Sequence, residues 1–351
     1  MIGNRPQFIK AAAVSPILRS RHAETLVHTG QHFDDRLSAI FFAELGLPAP
    51  DLQLEIALGS ATSQTARMLT ALEPVLADVA PDAVLVYGDT NSTLAGALAG
   101  AQAGISVVHV EAGMRSFDRA MPEELNRVLT DHASSLLLCS SVVALDNLRD
   151  DGVRVPCELV GDVMVDIALE VQPRARARVD LVTARGLTPG AYLLATAHRA
   201  GNVDDPDRLA QLVELLCGVG QTVLLALHPR TVARLESYGL RSRLDECAAV
   251  QISEPLGYFE TAALMCNAAA VLTDSGGLQK EAYLAGVRCV TLRPSTEWTE
   301  TVETGWNTLV DLDADAARAA LATPPPELRP PLYGDGHAGE RVVDSLRLLQ
   351  P

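Results

Sequence analysis

Short runs of β-branched and aliphatic residues recur along the chain: "TLVHTG", "AVLVYGD", "SVVHVEAG", "SLLLCSS", "CELVGD", then "YLLATAHR", "TVLLALHP", "AVQISEP", "AVLTDSGG" and "RCVTLRP". Segments with helical spacing of apolar positions separate most of them. Strands that are apolar along their whole length, alternating with helices, predict parallel sheets covered on both faces and so an α/β fold. Two stretches break the rhythm. "VQPRARARVDLVTARGLTPG" (171–190) brings in charge, proline and glycine and marks the passage between domains. "ATPPPELRPPLYGDGHAG" (322–339) precedes a final helix. A length of 351 residues suits two domains. The expected division is 1–170 and 171–337, with a helix over 338–351 packing back on the first domain. Two Rossmann-like doubly wound domains would turn the carboxyl ends of their strands to a cleft, the usual ligand site of open parallel sheets.

The predicted strand ends are polar: Gln31 and His32, Asp89, Glu111, His198, His228, and the turn from Asp274 to Gly277. In "LTDSGGLQKEA" (272–282) the apolar run stops at Asp274, Ser275, Gly276 and Gly277, and a helix begins. A helix start presents N–H groups with partial positive charge, and glycines let an oxyanion approach them, which suits a phosphate. The same residues also suit a capped turn without a ligand. GxxxxGK, HExxH and GxSxG patterns are absent. In a doubly wound domain the chain should open with an inner strand, yet "MIGNRPQFIK" opens at the turn that would follow it, so either part of that strand is missing or the sheet is one strand poorer.

The balance of 28 basic against 44 acidic residues, a net charge of -16, argues against a nucleic acid or an anionic membrane as partner. Local positive charge sits at the start: Arg5, Lys10, Arg19 and Arg21 precede the first acid, Glu24. The six cysteines are scattered without a CxxC pair, which indicates neither zinc nor a disulfide framework and fits a reducing cytoplasm. Residues 1–22 lack the apolar centre of a signal peptide, and "LAGALAGAQAGISVVHV" divides into a helix and a strand. Nothing in the sequence calls for a metal or a nicotinamide cofactor.

In order along the chain, "GNRPQFIKAA" (3–12), "HTGQHFD" (28–34), "VYGDTNSTLAGALA" (86–99), "HVEAGMRSF" (109–117), "MPEELNRVLTD" (121–131), "VGDVMVD" (160–166), "TAHR" (196–199), "LHPRT" (227–231), "DSGGLQKEA" (274–282) and "TEWTETVETGWNTLV" (296–310) resemble the non-hydrolysing UDP-N-acetylglucosamine 2-epimerases. The resemblance implies a fold like that of the GT-B glycosyltransferases, a homodimer, and a UDP-sugar substrate. It places Asp89, Glu111 and Glu123 at the catalytic carboxylates. It places Arg5, His198, Ser275, Gly276, Gly277 and Glu281 at nucleotide-binding positions, with the Ser-Gly-Gly amides on phosphate and Glu281 on ribose. Lys10 matches a lysine near the same pocket. Some members are activated by a second substrate molecule, and Gln31, Arg67, Arg199 and His228 match that site.

Departures from the family pattern bear on the sugar and on activation. "HRAGN" carries Gly201 where members often have glutamate, and Asp34 also differs from the usual residue of the activating site. "TEWTE" carries Trp298 where many bacterial members have arginine, a form most like the branch with epimerases of diacetamido-glucuronic acid nucleotides.

The C2–H of a nucleotide N-acetylhexosamine has no carbonyl beside it, so an enolate route is closed. The family's route breaks C1–O as the C2 proton leaves, giving UDP and 2-acetamidoglucal, then returns both. Carboxylates serve the proton steps if crowding and burial bring their pKa toward neutrality. Donors such as Arg5, His198 and the 275–277 amides stabilise the leaving diphosphate, which groups His198 with the catalytic carboxylates. Each of these residues also has a structural explanation: Asp89 capping a helix, Glu111 pairing with Arg115, Glu123 facing a helix dipole. Competing readings are a glycosyltransferase on the same scaffold, a hydrolysing epimerase, and a nucleotide-sugar binder without turnover.

Overall fold

The computed structural model describes residues 1–31, 42 and 44–349; the side chain of Arg5 lies outside the described set, as do His32 and Asp34. In chain order the elements are α1 (Arg5–Arg21), β1 (Val27–His28), β2 (Leu52–Gln53), α2 (Ala61–Val79), β3 (Ala83–Tyr87), α3 (Asn91–Gln102), β4 (Ser106–Ala112), α4 (Pro122–Ala133), β5 (Leu136–Cys139), α5 (Val142–Asp150), β6 (Cys157–Leu159) and α6 (Val163–Arg176). There follow α7 (Val179–Thr183), β7 (Tyr192–Thr196), α8 (Ala200–Val203), α9 (Pro206–Gly218), β8 (Thr222–Ala226), α10 (Pro229–Ser237), α11 (Arg241–Asp245), β9 (Val250–Ser253), α12 (Tyr258–Cys266), β10 (Ala270–Thr273), α13 (Gly276–Ala285), β11 (Arg288–Thr291), α14 (Thr299–Glu303), β12 (Asn307–Leu309), α15 (Ala314–Ala322) and α16 (Ala338–Ser345).

The chain forms two compact units, Met1–Leu169 with Pro331–Pro351, and Glu170–Pro330. All strand pairs among the described residues are parallel, as strands joined by crossover helices must be. The α/β class and the two parallel-sheet units agree with the sequence.

In the first unit β3-β4-β5-β6 form one sheet and β1-β2 a second. The first two residues connect them. Ile2 forms a parallel bridge with His28, and the Met1 amino group donates to Leu85 O at 2.7 Å. Residues 1–2 therefore stand where the expected inner strand would lie, with α1 beginning at its end. Asn4 caps α1 by accepting the Gln7 N–H, and Pro6 occupies a first-turn position that needs no N–H donor. The side chains of β5 are wholly buried, which its unbroken Leu-Leu-Leu-Cys run requires. Met68, Leu72 and Leu76 of α2 pack with Val84, Val86 and Val107.

In the second unit the order is β12-β11-β10-β7-β8-β9, so sequential strands run outward on both sides of a reversal between β7 and β10. Its core joins Leu193 and Ala195 of β7 with Leu209, Leu212 and Leu216 of α9 and with Leu272 and Val290. The charged stretch after residue 171 is more regular than expected. Helix α6 runs to Arg176 through Pro173, whose lost N–H bond the helix tolerates, and α7 follows. Among the described residues, no helix is long and apolar enough to cross a membrane.

Candidate active site

The turn after β3 sets the first group of candidates. Gly88 has φ +66° and its N–H donates to Val110 O at 3.0 Å. A Cβ at this position would stand 2.8 Å from Lys10 Nζ, so glycine supplies both the left-handed turn and room for the lysine. Lys10, buried on α1, places Nζ 2.5 Å from Glu111 Oε1. Glu111 lies where the register between β4 and β5 shifts and has φ +70°. A bulge re-aims the side chain it carries, and left-handed backbone at a non-glycine residue costs on the order of 1–2 kcal/mol. Arg115, which the sequence offered as a partner for Glu111, instead contacts Asp131 and Asp151, each at 2.7 Å.

Asp89 follows Gly88. Its Oδ2 accepts from Arg127 Nε at 3.0 Å and Nη2 at 2.7 Å, and its carbonyl accepts from Asn126 Nδ2 at 3.0 Å. The cap of α3 is Thr90, through a reciprocal pair with Thr93, so Asp89 is not spent on capping. Arg127 is buried and also donates to Glu124 Oε2 at 2.9 Å. Burial opposes ionisation of Glu124, but the Ser116 bonds and Arg127 outweigh it and hold its carboxyl below the ordinary range. Glu123 is half-buried in the first turn of α4. Asp89 and Glu111 each meet a buried cation, Arg127 and Lys10 respectively.

In the second unit the candidates gather where the strand order reverses, the point at which neighbouring crossover helices leave on opposite faces and open a crevice. Asp274, fully buried after β10, accepts the N–H of His198 at 3.0 Å and of Arg199 at 2.9 Å. Arg199 Nε returns a bond to Asp274 O at 3.0 Å. Asp274 thus locks the end of β10 to the end of β7. Ser275 holds the N-cap position of α13 without a side-chain cap bond.

The two glycines after Ser275 differ. A Cβ at Gly276 would fall 2.0 Å from Glu297 Oε1, while over Gly277 the nearest atom is Ser275 Oγ at 4.0 Å. The space in front of the helix mouth therefore lies over Gly277, and Glu297 takes the space at Gly276. Glu297 accepts from Arg293 Nη2 at 2.9 Å. Glu281 is buried on α13; desolvation raises its pKa to about 7 against the opposing charge of Lys280. Lys280 Nζ sits 4.2 Å from the centroid of the Trp298 ring. Trp298 and Trp306 are both buried.

His198 stacks on His228, with ring centroids 5.3 Å apart, and its Nδ1 lies 3.6 Å from Asp274 Oδ1. Of the positions matched to an activating site, Gln31 Oε1 accepts from Ser92 N and Oγ at 3.1 and 2.7 Å, and Arg67 donates to Ser63 O on its own helix at 3.3 Å. These two belong to the first unit; Arg199 and His228 belong to the second. Arg5 begins α1. Sequence reasoning missed Asn126, Arg127 and the anchoring role of Asp274. Asn126 and Arg127 stand inside "MPEELNRVLTD", three and four residues after Glu123, on the helix face that returns to Asp89.

The family model described as UDP-N-acetylglucosamine 2-epimerase matches residues 18–347. A UDP-N-acetylglucosamine 2-epimerase homolog of Methanococcus maripaludis is 42% identical over 352 residues, covering 99% of each chain. A UDP-2,3-diacetamido-2,3-dideoxy-D-glucuronate 2-epimerase of Pseudomonas aeruginosa is 45% identical over 361 residues, again covering 99% of each. Among solved structures, the Methanocaldococcus jannaschii UDP-GlcNAc 2-epimerase in complex with UDP-GlcNAc and UDP superposes with a TM-score of 0.93 at 39% identity, covering 99% of this chain and 98% of that one. With the ordered motifs and the two parallel-sheet units, these matches place the chain in the UDP-N-acetylglucosamine 2-epimerase family.

Proposed function

We propose that the protein is a non-hydrolysing 2-epimerase interconverting UDP-GlcNAc and UDP-ManNAc. A carboxylate removes the C2 proton while the C1–O bond breaks, its electrons passing to the diphosphate as the C1–C2 double bond of 2-acetamidoglucal forms. A second acid returns a proton to the other face of C2, and the UDP oxygen re-forms its bond to C1. Asp89, Glu111 and Glu123 carry the proton steps. Lys10 and Arg127 fix the first two of them. The amides after Ser275, with Arg5 and His198, hold the diphosphate and stabilise charge that grows as C1–O breaks. Glu281 takes the ribose hydroxyls.

The observation that carries this reading is the placement of Asp89 and Glu111 at the ends of adjacent strands, each against a buried cation. Two carboxylates presented from one sheet edge suit proton removal and return. The test incubates pure protein with UDP-GlcNAc in D₂O under proton NMR. Deuterium entering C2 together with the manno epimer supports the proposal; release of free sugar, or an unchanged spectrum, contradicts it. Asp89→Asn, which keeps an oxygen facing Arg127, is expected to lower exchange about 10²–10⁴-fold while UDP still binds.

A second reading, epimerisation of a UDP-diacetamido-glucuronate, is favoured by the Pseudomonas aeruginosa relative and by Trp298, buried against Lys280. Under that reading the diacetamido sugar nucleotide epimerises with a higher kcat/KM than UDP-GlcNAc.

A further inference from the structure

His109 lies on β4 with no exposed surface, two residues before Glu111. Its Nε2 is 2.7 Å from Gly88 O, and its Nδ1 is 2.7 Å from Asp131 Oδ1 on the last turn of α4. A carbonyl oxygen only accepts, so Nε2 must carry hydrogen. The other oxygen of Asp131 accepts the Gly113 N–H at 3.2 Å and lies 2.7 Å from Arg115 Nη2. The positive charge of the Arg115 guanidinium and the bond from the Gly113 N–H both favour the ionised form of Asp131. An ionised carboxylate accepts only, so Nδ1 must carry hydrogen as well.

We infer that His109 is a positioning residue, held as a buried imidazolium, that ties the Gly88–Asp89 turn to the helix whose other residues grip Asp89. Both ends of the tie are short of slack. Gly88 is fixed on one side by its N–H to Val110 O and on the other by the ring. Helix α4 meets the ring through Asp131 and meets Asp89 through Asn126 and Arg127. One imidazole therefore sets the distance between β3, which presents Asp89, and α4, which presents Glu123. Buried Arg115 carries the network on from Asp131 to Asp151 at the surface, and burial raises the pKa of the Cys139 thiol on β5, with smaller contributions from Cys157 and Asp131.

The inference rests on the proposed roles of Asp89 and Glu123, but its physical core is independent of the substrate. Protein grown with ring-¹⁵N-labelled histidine, with His109→Asn to assign the resonance, should show hydrogen on both His109 nitrogens at pH 7. A ring with one N–H overturns the inference whatever the substrate proves to be. Replacing groups that orient a first contact commonly costs 10–100-fold in activity, and a misplacement of about 1 Å costs 10². On whichever UDP-sugar the native protein epimerises, His109→Asn and Asp131→Asn are expected to lower kcat about 10²-fold, leave KM within about threefold, and slow C2 deuterium exchange in parallel. Native kcat in either variant overturns the inference. If the native protein epimerises neither candidate sugar, the functional proposal fails while the ring state still decides the buried imidazolium.

Discussion

If Glu281 takes the proposed ribose role, its burial couples to ligand affinity at the level of a single carboxyl. Its ordinary pKa of 4.5 rises to about 7 because desolvation outweighs the charge of Lys280. Between those values the folded protein binds more protons than the unfolded chain, so stability from this group falls as pH rises across that window and is level outside it. Ribose hydroxyls donating to Glu281 would favour its ionised form. The affinity of UDP-GlcNAc, whose diphosphate is esterified at both ends, should therefore tighten as pH rises from 6 toward 8. Titration calorimetry on Asp89→Asn, in which turnover is expected to be slowed, checks this against the same protein carrying Glu281→Gln, expected to be flat. A flat profile in both removes Glu281 from the ribose site.

The elements show why part of the site was legible in sequence and part was not. Apolar runs ending in polar residues located the strand ends, because a fully buried parallel strand must be apolar until it leaves the sheet. Asp89, Glu111, His198 and the 274–277 turn were found this way. The partners were not: Lys10 reaches Glu111 from α1 and Arg127 reaches Asp89 from α4, pairings set by helix packing across about 100 and 38 positions of chain. Nor does a sequence show that Gly276 yields to Glu297 while Gly277 faces open space. Gly88 offers a test at this scale. Gly88→Ala forces a left-handed alanine and displaces Lys10, so it should cost at least about 1–2 kcal/mol of stability and lower kcat more than KM. Native denaturant midpoints and kinetics would show that the turn is not the constraint the geometry indicates.

At the scale of the whole molecule, the chain leaves the first unit within α6 and returns after Pro330. Helix α16 packs on α1, with Gly339 against Ala13 and the Ala338 and Gly339 N–H groups on Asp166. The last segment thus braces the helix that carries Lys10, and truncation after Pro330 should expose α1 to limited proteolysis and abolish turnover. The central claim is that proton transfer and C1–O cleavage occur on one sugar whose nucleotide is retained. Substrate labelled with ¹⁸O at the C1–O bridge, incubated in D₂O, follows both events in one sample. The account predicts that ¹⁸O moves from the bridging to the non-bridging positions of the β-phosphate while deuterium enters C2; deuterium entering C2 with every ¹⁸O still in the bridge would contradict it.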